Sequence, residues 1–350
     1  MSRRTFTLAT AGFLLVSLLA VALVLPVPYV TMRPGPTVDV LGDYEDAPVL
    51  EIDESVETYP TEGELRLTTV SVTRADARLT LPEAFWAYFD DDEAVVPRDL
   101  IYPPGQTAEE SREQNTAQME GSKLDSEAVA LRAAGYDVQQ VVVVGAVEEG
   151  SPSDGVLRPG DVVLAVDGTG VEAPGDVVDL VGAQAPGDSI RLRIRRDGET
   201  STETVVAGEQ PDDPDKARIG ITLGTDVDLP FDVTNTIGDT IGGPSAGLIF
   251  ALGLYDELTP GPLTGGQTVA GTGTIDLEGS VGPIGGIQQK IAGAVDEGAS
   301  VFLVPAANCD EAAALDDPGA VLVEVATFDD AVDALGVLAD DPDGTVPTCR

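Results

Sequence analysis

Histidine is absent from this chain of 350 residues. Histidine is the usual base that activates a serine or cysteine nucleophile, so serine–histidine and cysteine–histidine catalysis are excluded, as are histidine-ligated metal sites. If the chain is a hydrolase with a serine nucleophile, it must use a lysine or a carboxylate as the base. We expect that it requires neither a metal nor a cofactor.

Basic residues are scarce, with 19 Lys and Arg against 61 Asp and Glu, which gives a formal charge of −42. Such a charge repels the phosphates of nucleic acids, so we expect no nucleic-acid partner. The acidity is interpreted as a solvated surface, and a dedicated basic partner is the alternative.

Cysteine is also rare. Cys309 and Cys349 are the two in the chain, and both lie near its C-terminus. In an oxidising compartment they could form one disulfide that ties down the tail. The spacing alone does not establish the bond.

One long uncharged run lies near the N-terminus. No charged residue occurs between Arg4 and Arg33, and residues 13–25 are almost entirely Leu, Val and Ala. This length spans a hydrocarbon core. Arg3 and Arg4 precede the run, so the positive-inside rule predicts a cytoplasmic N-terminus and an external body. A cleaved signal peptide is the alternative, but two prolines end the run and no clear cleavage site follows.

A compact unit lies in the middle of the chain. Its pattern is Gly150-Ser151-Pro152 followed by Leu157-x-Pro159-Gly160-Asp161-Val162-Val163-Leu164-x-Val166-Asp167-Gly168. This pattern resembles the PDZ domains of exported bacterial proteases.

The resemblance to a PDZ domain implies that an extended peptide adds to a sheet edge beside a helix. By position these are residues 141–147 and 174–181, and the expected groove residues are Val142, Val144, Ala146, Val177 and Val181. No Gly-Leu-Gly-Phe-like carboxylate loop precedes Val141, which puts capture of a free C-terminus in doubt. A PDZ fold that serves only as a spacer or lid is the alternative.

A glycine-rich turn precedes an apolar helical stretch, and it reads Gly242-Gly243-Pro244-Ser245-Ala246-Gly247. Taken alone, Ser245 is a good helix N-cap. The glycines would also let a substrate approach closely, and free N–H groups at a helix start can stabilise an oxyanion. The turn by itself leaves both interpretations open.

Lys290 falls in the first turn of a helix predicted from Ile287 to about Gly298. It could extend along a half-buried face to solvent or pair with an acid. A cation near a helix N-terminus opposes the helix dipole, however, and burial would lower its pKa further. A lysine base working near neutral pH needs that shift from its usual value of about 10.4.

Three motifs in correct order over about residues 215–335 resemble the proteolytic domain of Lon proteases. They are Gly243-Pro244-Ser245-Ala246-Gly247, Thr272-Gly273-x-Ile275 and Gly279-x-Val281-x-Pro283-Ile284-Gly285-Gly286-x-x-x-Lys290. The resemblance implies that Ser245 is the nucleophile, that Lys290 is its base and that Thr272 orients the lysine amine.

The same resemblance assigns the oxyanion-binding backbone to Gly243, Pro244 and Ala246. Two departures are visible, because Lon commonly has Asp-Gly-Pro-Ser and Lys-Glu-Lys where this chain has Gly242-Gly243-Pro244-Ser245 and Gln288-Gln289-Lys290. Both departures replace charged flanking residues with neutral ones and leave the catalytic pair intact.

The anchor, the PDZ unit and the Lon-type unit together resemble the membrane-anchored, PDZ-containing Lon-like proteases of bacteria. The expected fold is α+β, and the strand predicted over residues 65–72 could pair within the protease sheet, which would make the PDZ unit an insertion. The predicted organisation is a cytoplasmic end (1–6), a transmembrane anchor (7–32), an N-terminal extracytoplasmic region partly packed on the protease domain (33–136), a PDZ domain (137–210), a Lon-type proteolytic domain (211–340) and a tail (341–350).

The sequence contains no Gly-x-x-x-x-Gly-Lys-Ser/Thr motif, so we expect no ATP-driven unfolding. The resulting hypothesis is a single-pass serine endopeptidase of the plasma membrane that cleaves unfolded or exposed peptide segments outside the cytoplasm. The alternatives are a catalytically silent scaffold for membrane or exported partners, and a protease that acts only on itself. By analogy with ring-forming Lon domains, a homo-oligomer is a further expectation.

Overall fold

The computed structural model describes residues 3–90, 92–237 and 241–349. They divide into two compact units. We call Met1–Gly135 with Phe231–Arg350 the discontinuous unit, and Tyr136–Pro230 the inserted unit.

The first segment of the discontinuous unit begins with a long helix and continues in strands. Its elements are α1 (Arg3–Val24), β1 (Pro26–Val27), β2 (Tyr29–Asp39), β3 (Asp43–Tyr44), β4 (Ala47–Pro48), β5 (Leu50–Ile52), β6 (Glu64–Val72), β7 (Leu79–Thr80), α2 (Leu81–Tyr88), β8 (Ala94–Pro97), α3 (Arg98–Ile101) and α4 (Ala108–Ala133).

Helix α1 is long and apolar enough to cross a membrane, by length and composition. Its stretch Arg4–Val24 has a mean hydropathy of 2.4, and none of that stretch is buried. The helix ends at Val24 because Pro26 and Pro28 cannot donate the backbone hydrogen bonds that would continue it. The predicted anchor 7–32 therefore extends too far, since strand β2 already begins at Tyr29.

The inserted unit contains β9 (Gln139–Val147), β10 (Val162–Val166), β11 (Thr169–Gly170), α5 (Pro174–Gly182), β12 (Ser189–Arg196), β13 (Glu199–Val206), β14 (Gly208–Gln210), β15 (Asp213–Arg218) and β16 (Ile221–Asp228). Its main sheet has the order β13-β12-β10-β9-β16, with β11 paired to β10. Strand β16 pairs with β9 along its whole length. The unit therefore ends at Pro230 rather than at 210, and residues predicted to start the protease domain complete its sheet.

The chain then returns to the discontinuous unit. The remaining elements are β17 (Val233–Asn235), α6 (Gly247–Leu258), β18 (Thr268–Gly271), β19 (Thr274–Ile275), β20 (Val281–Gly282), α7 (Ile287–Asp296), β21 (Val301–Pro305), α8 (Cys309–Ala312), β22 (Val321–Val325) and α9 (Phe328–Asp340), with 3-10 turns at Pro244–Ala246 and Ala306–Asn308.

The main sheet of the discontinuous unit joins both segments in the order β22-β21-β18-β6-β2-β8. Strand β6 is the strand predicted over residues 65–72. It runs parallel to β18 and antiparallel to β2. Leu65 and Leu67 of β6 are fully buried, which fixes its register through the alternation of its side chains. The sheet thus needs chain from both sides of residues 136–230, and the middle unit is an insertion.

The long helix α4 packs against α6 in this unit. It begins at a capping box, in which the side chain of Thr107 accepts a hydrogen bond from the backbone N–H of Glu110. It ends before Gly135, whose φ of 92° suits glycine at a helix C-terminus.

Cys309 and Cys349 form a disulfide, with their Cα atoms 4.9 Å apart. Both cysteines pack against a buried apolar cluster that includes Ile287 and Ile291 of α7. The bond thus joins the C-terminal tail to the core under this helix.

Candidate active site

Ser245 lies in the 3-10 turn that leads into α6. It does not cap this helix, because the N-cap position is Ala246 and no side-chain cap bond forms there. The hydroxyl of Ser122, on α4, donates to the carbonyl oxygen of Pro244 at 3.0 Å and so braces the turn. A Cβ at Gly247 would lie 2.5 Å from this hydroxyl oxygen, so glycine lets α4 approach.

Lys290 lies in the first turn of α7, as the sequence predicts, and its side chain points inward with 3% exposure. Its Nζ is 2.9 Å from the Oγ of Ser245 and 2.8 Å from the Oγ1 of Thr272. Burial lowers the pKa of Lys290 from 10.5 to about 7. Neither alternative holds, because the amine is not at the surface and no carboxylate of the described residues forms an ion pair with it.

Glycine makes this inward path possible at the start of α7. Gly286 has φ of 70°, in the left-handed region that glycine tolerates best. A Cβ at Gly286 would also lie 2.9 Å from Met32 and from Val70. A larger residue would be strained at this φ and would require the side chains of Met32 and Val70 to move.

Thr272 directly follows β18 and is fully buried. Its hydroxyl donates to the carbonyl oxygen of Ser245 at 2.9 Å, and the N–H of Gly273 donates to the same oxygen at 2.9 Å. Since the hydrogen of Thr272 is committed to that carbonyl, its Oγ1 can only accept from Lys290. The amine therefore donates one hydrogen to Thr272, which leaves the lone pair of a neutral Lys290 free for Ser245.

The predicted oxyanion-binding backbone needs correction. The N–H of Gly243 donates to the carbonyl oxygen of Asn115 at 3.3 Å, and Pro244 has no N–H to offer. Of the residues named from the sequence, Ala246 retains an N–H at the start of the helical segment, where the first N–H groups lack partners within a helix. The N–H of Ser245 lies in the same segment.

A cleft of about 620 Å³ opens at Ser245 and Lys290. One wall is the end of β6 (Leu67 to Val72), and the other walls include Met32, Met119, Gly242, Gly243 and the loop Pro283–Gly285. The cleft thus offers one edge of backbone and several apolar side chains beside the serine.

Asn308 holds the loop that precedes α7. Its side chain accepts a hydrogen bond from the N–H of Ile284 at 2.9 Å and donates to the carbonyl oxygen of Ile284 at 3.0 Å. Asn308 is buried, so the two bonds fix the loop that leads to Lys290. The predicted site did not include Asn308, Ser122 or Asn115. Their contacts join elements distant in the chain and have no local sequence signal.

Among the residues that the structure describes, no group of three or more Cys, Asp or Glu side chains is arranged to hold a metal ion.

The peptide groove predicted in the inserted unit is corrected by the sheet order. Strand β9 has neighbours on both sides, so no peptide can add to it. Val142 and Val144 are buried in the core rather than exposed to a ligand. The open edge is β16, and a groove of about 540 Å³ lies between it and α5. Ala146, Val177 and Val181 line this groove together with Val178 and residues 219–223.

Comparisons with known proteins find one match around the Ser245 cleft and another over most of the inserted unit. Residues 238–332 match the family model of the Lon protease (S16) C-terminal proteolytic domain, and residues 115–206 match a PDZ domain model. The chain therefore carries a Lon-type proteolytic domain together with a PDZ domain.

Curated relatives are similar over shorter stretches. Lon protease 2 of Bacillus subtilis is 37% identical over 98 residues, which are 28% of this chain and 17% of that protein. Lon protease 2 of Herpetosiphon aurantiacus is 46% identical over 66 residues, covering 19% of this chain and 8% of that protein. A probable periplasmic serine endoprotease DegP-like of Halomonas elongata is 36% identical over 80 residues, covering 22% of this chain and 17% of that protein. The matches span less than a fifth of each of these relatives.

Among solved structures, the PDZ domain of an SdrC-like protein from Listeria monocytogenes is 21% identical. The matched region covers 24% of this chain and 86% of the Listeria chain, with a TM-score of 0.22.

Proposed function

We propose that this chain is an ATP-independent serine endopeptidase in which Ser245 is the nucleophile and Lys290 its general base. The observation that carries the proposal is the position of the Lys290 amine, 2.9 Å from the Oγ of Ser245 and 2.8 Å from the Oγ1 of Thr272. A base that works near neutral pH needs a pKa near 7, and burial gives Lys290 that value.

In the acylation step, the neutral amine of Lys290 accepts the proton of Ser245 as its Oγ attacks the carbonyl carbon of the scissile peptide. Negative charge then develops on the former carbonyl oxygen. The N–H groups of Ser245 and Ala246, at the helix start, are the proposed donors to this oxygen. Thr272 holds the amine in place, so that its lone pair can face Ser245 before the proton is transferred.

The protonated Lys290 then donates its proton to the leaving amine, and the C–N bond breaks to leave an acyl-serine. In the second half of the reaction, the neutral Lys290 deprotonates a water that attacks the ester, and the proton returns to the Oγ of Ser245. The buried surroundings favour the neutral amine after each transfer, so the base is regenerated without histidine.

We further propose that α1 anchors the enzyme in the plasma membrane with its N-terminus in the cytoplasm. The basic residues at its start and its apolar length support this orientation. The catalytic unit would then lie outside, where exposed or unfolded peptide segments are the substrates. The sequence has no P-loop for ATP-driven unfolding, and a periplasmic DegP-like relative supports an exported location.

The PDZ domain would recruit or gate these substrates. Its open edge strand β16 offers unpaired backbone groups beside the apolar wall of α5, which suits an extended peptide added as a further strand. The groove carries apolar side chains such as Val177 and Val178, so apolar residues in the peptide are expected to be preferred.

The test compares the detergent-solubilised full chain with its Ser245→Ala and Lys290→Met variants on an unfolded protein substrate. We expect both variants to lose at least roughly 10²–10⁴-fold in cleavage rate, since each removes a group that acts in the chemical step. Equal cleavage by all three proteins would overturn the assignment. Cleavage of the chain itself, with no cleavage of the added substrate, would favour self-processing instead.

A further inference from the structure

Helix α2 presents an exposed apolar surface that the proposed reaction does not use. Ala87 is its buried side. The outer side carries large side chains that are all exposed, and we call them the aromatic face. Its members are Leu81, Phe85, Trp86, Tyr88 and, directly after the helix, Phe89.

The rings of the aromatic face contact one another edge to face. Phe85 packs against Trp86 and Phe89 with ring centroids 6.0 and 5.0 Å apart, and Tyr88 against Phe89 at 5.3 Å. Trp86 nevertheless remains 73% exposed. A contiguous apolar surface of this kind on a folded protein marks an interaction site.

The position of α2 beside the end of α1 indicates which partner the aromatic face contacts. Only Leu25 separates α1 from β1, and β1 pairs with β7, which leads directly into α2. Helix α2 therefore contacts α1 and lies where that helix leaves its apolar stretch. Tryptophan and tyrosine are enriched at this depth, because their rings are apolar and their N–H and O–H groups reach water.

The charges around the aromatic face argue against attraction to anionic lipid. Glu83 lies on α2, and Asp90, Asp92 and Glu93 follow it. Glu93 is paired with Arg33 at 2.9 Å, while Arg74 and Arg78 are exposed nearby in the chain. Binding would come from burial of apolar rings, with acidic side chains kept in water.

We propose that the aromatic face lies in the headgroup region of the outer leaflet and holds the discontinuous unit against the bilayer; this rests on the proposed anchoring by α1. We call this contact between the aromatic face and lipid the seat. Strands β1 and β2 lead from the end of α1 to Met32, in the wall of the Ser245 cleft. Met32 is seven residue steps from Leu25, and an extended chain of that length spans at most about 25 Å. The seat therefore holds the cleft close to the membrane, which suits substrate segments exposed next to the bilayer.

Trp86 reports directly on this seat, since it is the only tryptophan in the chain. The full chain is incorporated into phosphatidylcholine vesicles, with or without acyl chains brominated near the headgroup. We expect brominated lipid to quench roughly half or more of the Trp86 emission, because this is the depth that tryptophan prefers. Quenching should be as strong in zwitterionic as in anionic vesicles.

Two further readouts separate the ways in which the idea could fail. Flotation of the vesicles after a carbonate wash tests anchoring by α1, and loss of the chain from the floated fraction would overturn that proposal. If the chain floats but brominated lipid leaves Trp86 emission unchanged, the seat is overturned and the anchor stands. Protection of Trp86 from aqueous acrylamide without quenching by brominated lipid would mean that protein covers the face, which also overturns the lipid assignment.

The double variant Phe85→Ser/Phe89→Ser removes apolar area without touching the reporter. We expect its quenching by brominated lipid to fall several-fold, while Phe85→Leu/Phe89→Leu keeps most of it. Val337→Ser, which changes an exposed apolar residue of α9, is the control and should leave the quenching unchanged. Unchanged quenching in the double serine variant, with an unchanged melting temperature, would contradict the seat.

Discussion

Thr272 donates its hydroxyl hydrogen to the main-chain carbonyl oxygen of Ser245, at 2.9 Å. The same hydroxyl oxygen accepts from the amine of Lys290 at 2.8 Å. One buried side chain thus connects the backbone of the proposed nucleophile to the proposed base. Because its hydrogen is committed, it can hold the amine only as an acceptor, and this leaves the lone pair of a neutral Lys290 available to Ser245.

This relationship predicts different outcomes for two substitutions of Thr272. Thr272→Val keeps the shape but removes the acceptor, so kcat should fall roughly 10–100-fold, no more than the lower end of what the base itself contributes, with little change in KM. Thr272→Ser retains a hydroxyl and should recover most of the activity. Steady-state kinetics on a peptide substrate check both variants, and equal kcat values for them would contradict the positioning role.

Replacing Lys290 with methionine is expected to stabilise the fold at neutral pH. A lysine whose pKa falls from 10.5 to about 7 on folding binds fewer protons in the folded state between these two values. Its cost is therefore fully present below about pH 7 and disappears as the pH rises toward 10.5. The gain for Lys290→Met is at most roughly 5 kcal/mol at 1.36 kcal/mol per pKa unit, reduced by the hydrogen bonds lost to Ser245 and Thr272.

Chemical denaturation of wild type and Lys290→Met from pH 6 to 10 measures this gain. The difference in free energy of unfolding should be constant up to about pH 7 and shrink steadily above it. Burial raises the pKa of Glu127 and of Glu257 to about 7 and that of Asp256 to about 6. These groups titrate in both proteins, so the difference isolates Lys290. A gain that is constant with pH would mean that the pKa of Lys290 is not lowered.

The open edge of the PDZ domain predicts where peptide binding can be blocked. Val178 lines the groove beside β16 and is exposed, so Val178→Asp should fold normally and weaken peptide binding roughly tenfold or more, since it places a charge in an apolar contact. Val206→Asp changes an exposed valine at the far edge of the same sheet and is the matched control. Titrations with extended apolar peptides should separate the two, and equal losses would place the binding surface elsewhere.

The disulfide predicts a redox-dependent stability. It closes a loop of 40 residues, and bonds of this kind contribute about 2–4 kcal/mol. The double variant Cys309→Ala/Cys349→Ala should therefore melt at a lower temperature than the oxidised wild type. Reductant should lower the melting temperature of the wild type and leave the variant unchanged. Insensitivity of both proteins to reductant would show that the bond does not form in solution.

Patterns local in the chain predicted most of the site. The glycine-rich turn, the helix that carries Lys290 and the strand over residues 65–72 all follow from short motifs and alternation. The structure has these elements where the sequence places them. The contact of Lys290 with both Ser245 and Thr272 depends on three separate elements, and the sequence indicated it through family resemblance alone.

Contacts between distant elements account for the parts that the sequence did not predict. The resemblance to a PDZ domain places the peptide groove at strand β9, but β16, many residues later, takes the edge position. Gly243 reads as an oxyanion donor until Asn115 of α4 accepts its N–H. No local sequence pattern predicts the pairing of β16 with β9 or the contact of Asn115 with Gly243. Both depend on the whole fold, which sets the pairing across the sheet and the packing of α4.

The pH dependence of kcat/KM on an unfolded polypeptide tests the central claim most directly. If neutral Lys290 is the base, kcat/KM should rise with pH through one inflection near 7, the pKa of Lys290 in the folded enzyme, and level off above it. Lys290→Met should show neither the inflection nor the plateau activity. A flat profile between about pH 5 and 9, or full activity in Lys290→Met, would contradict catalysis by Ser245 and Lys290.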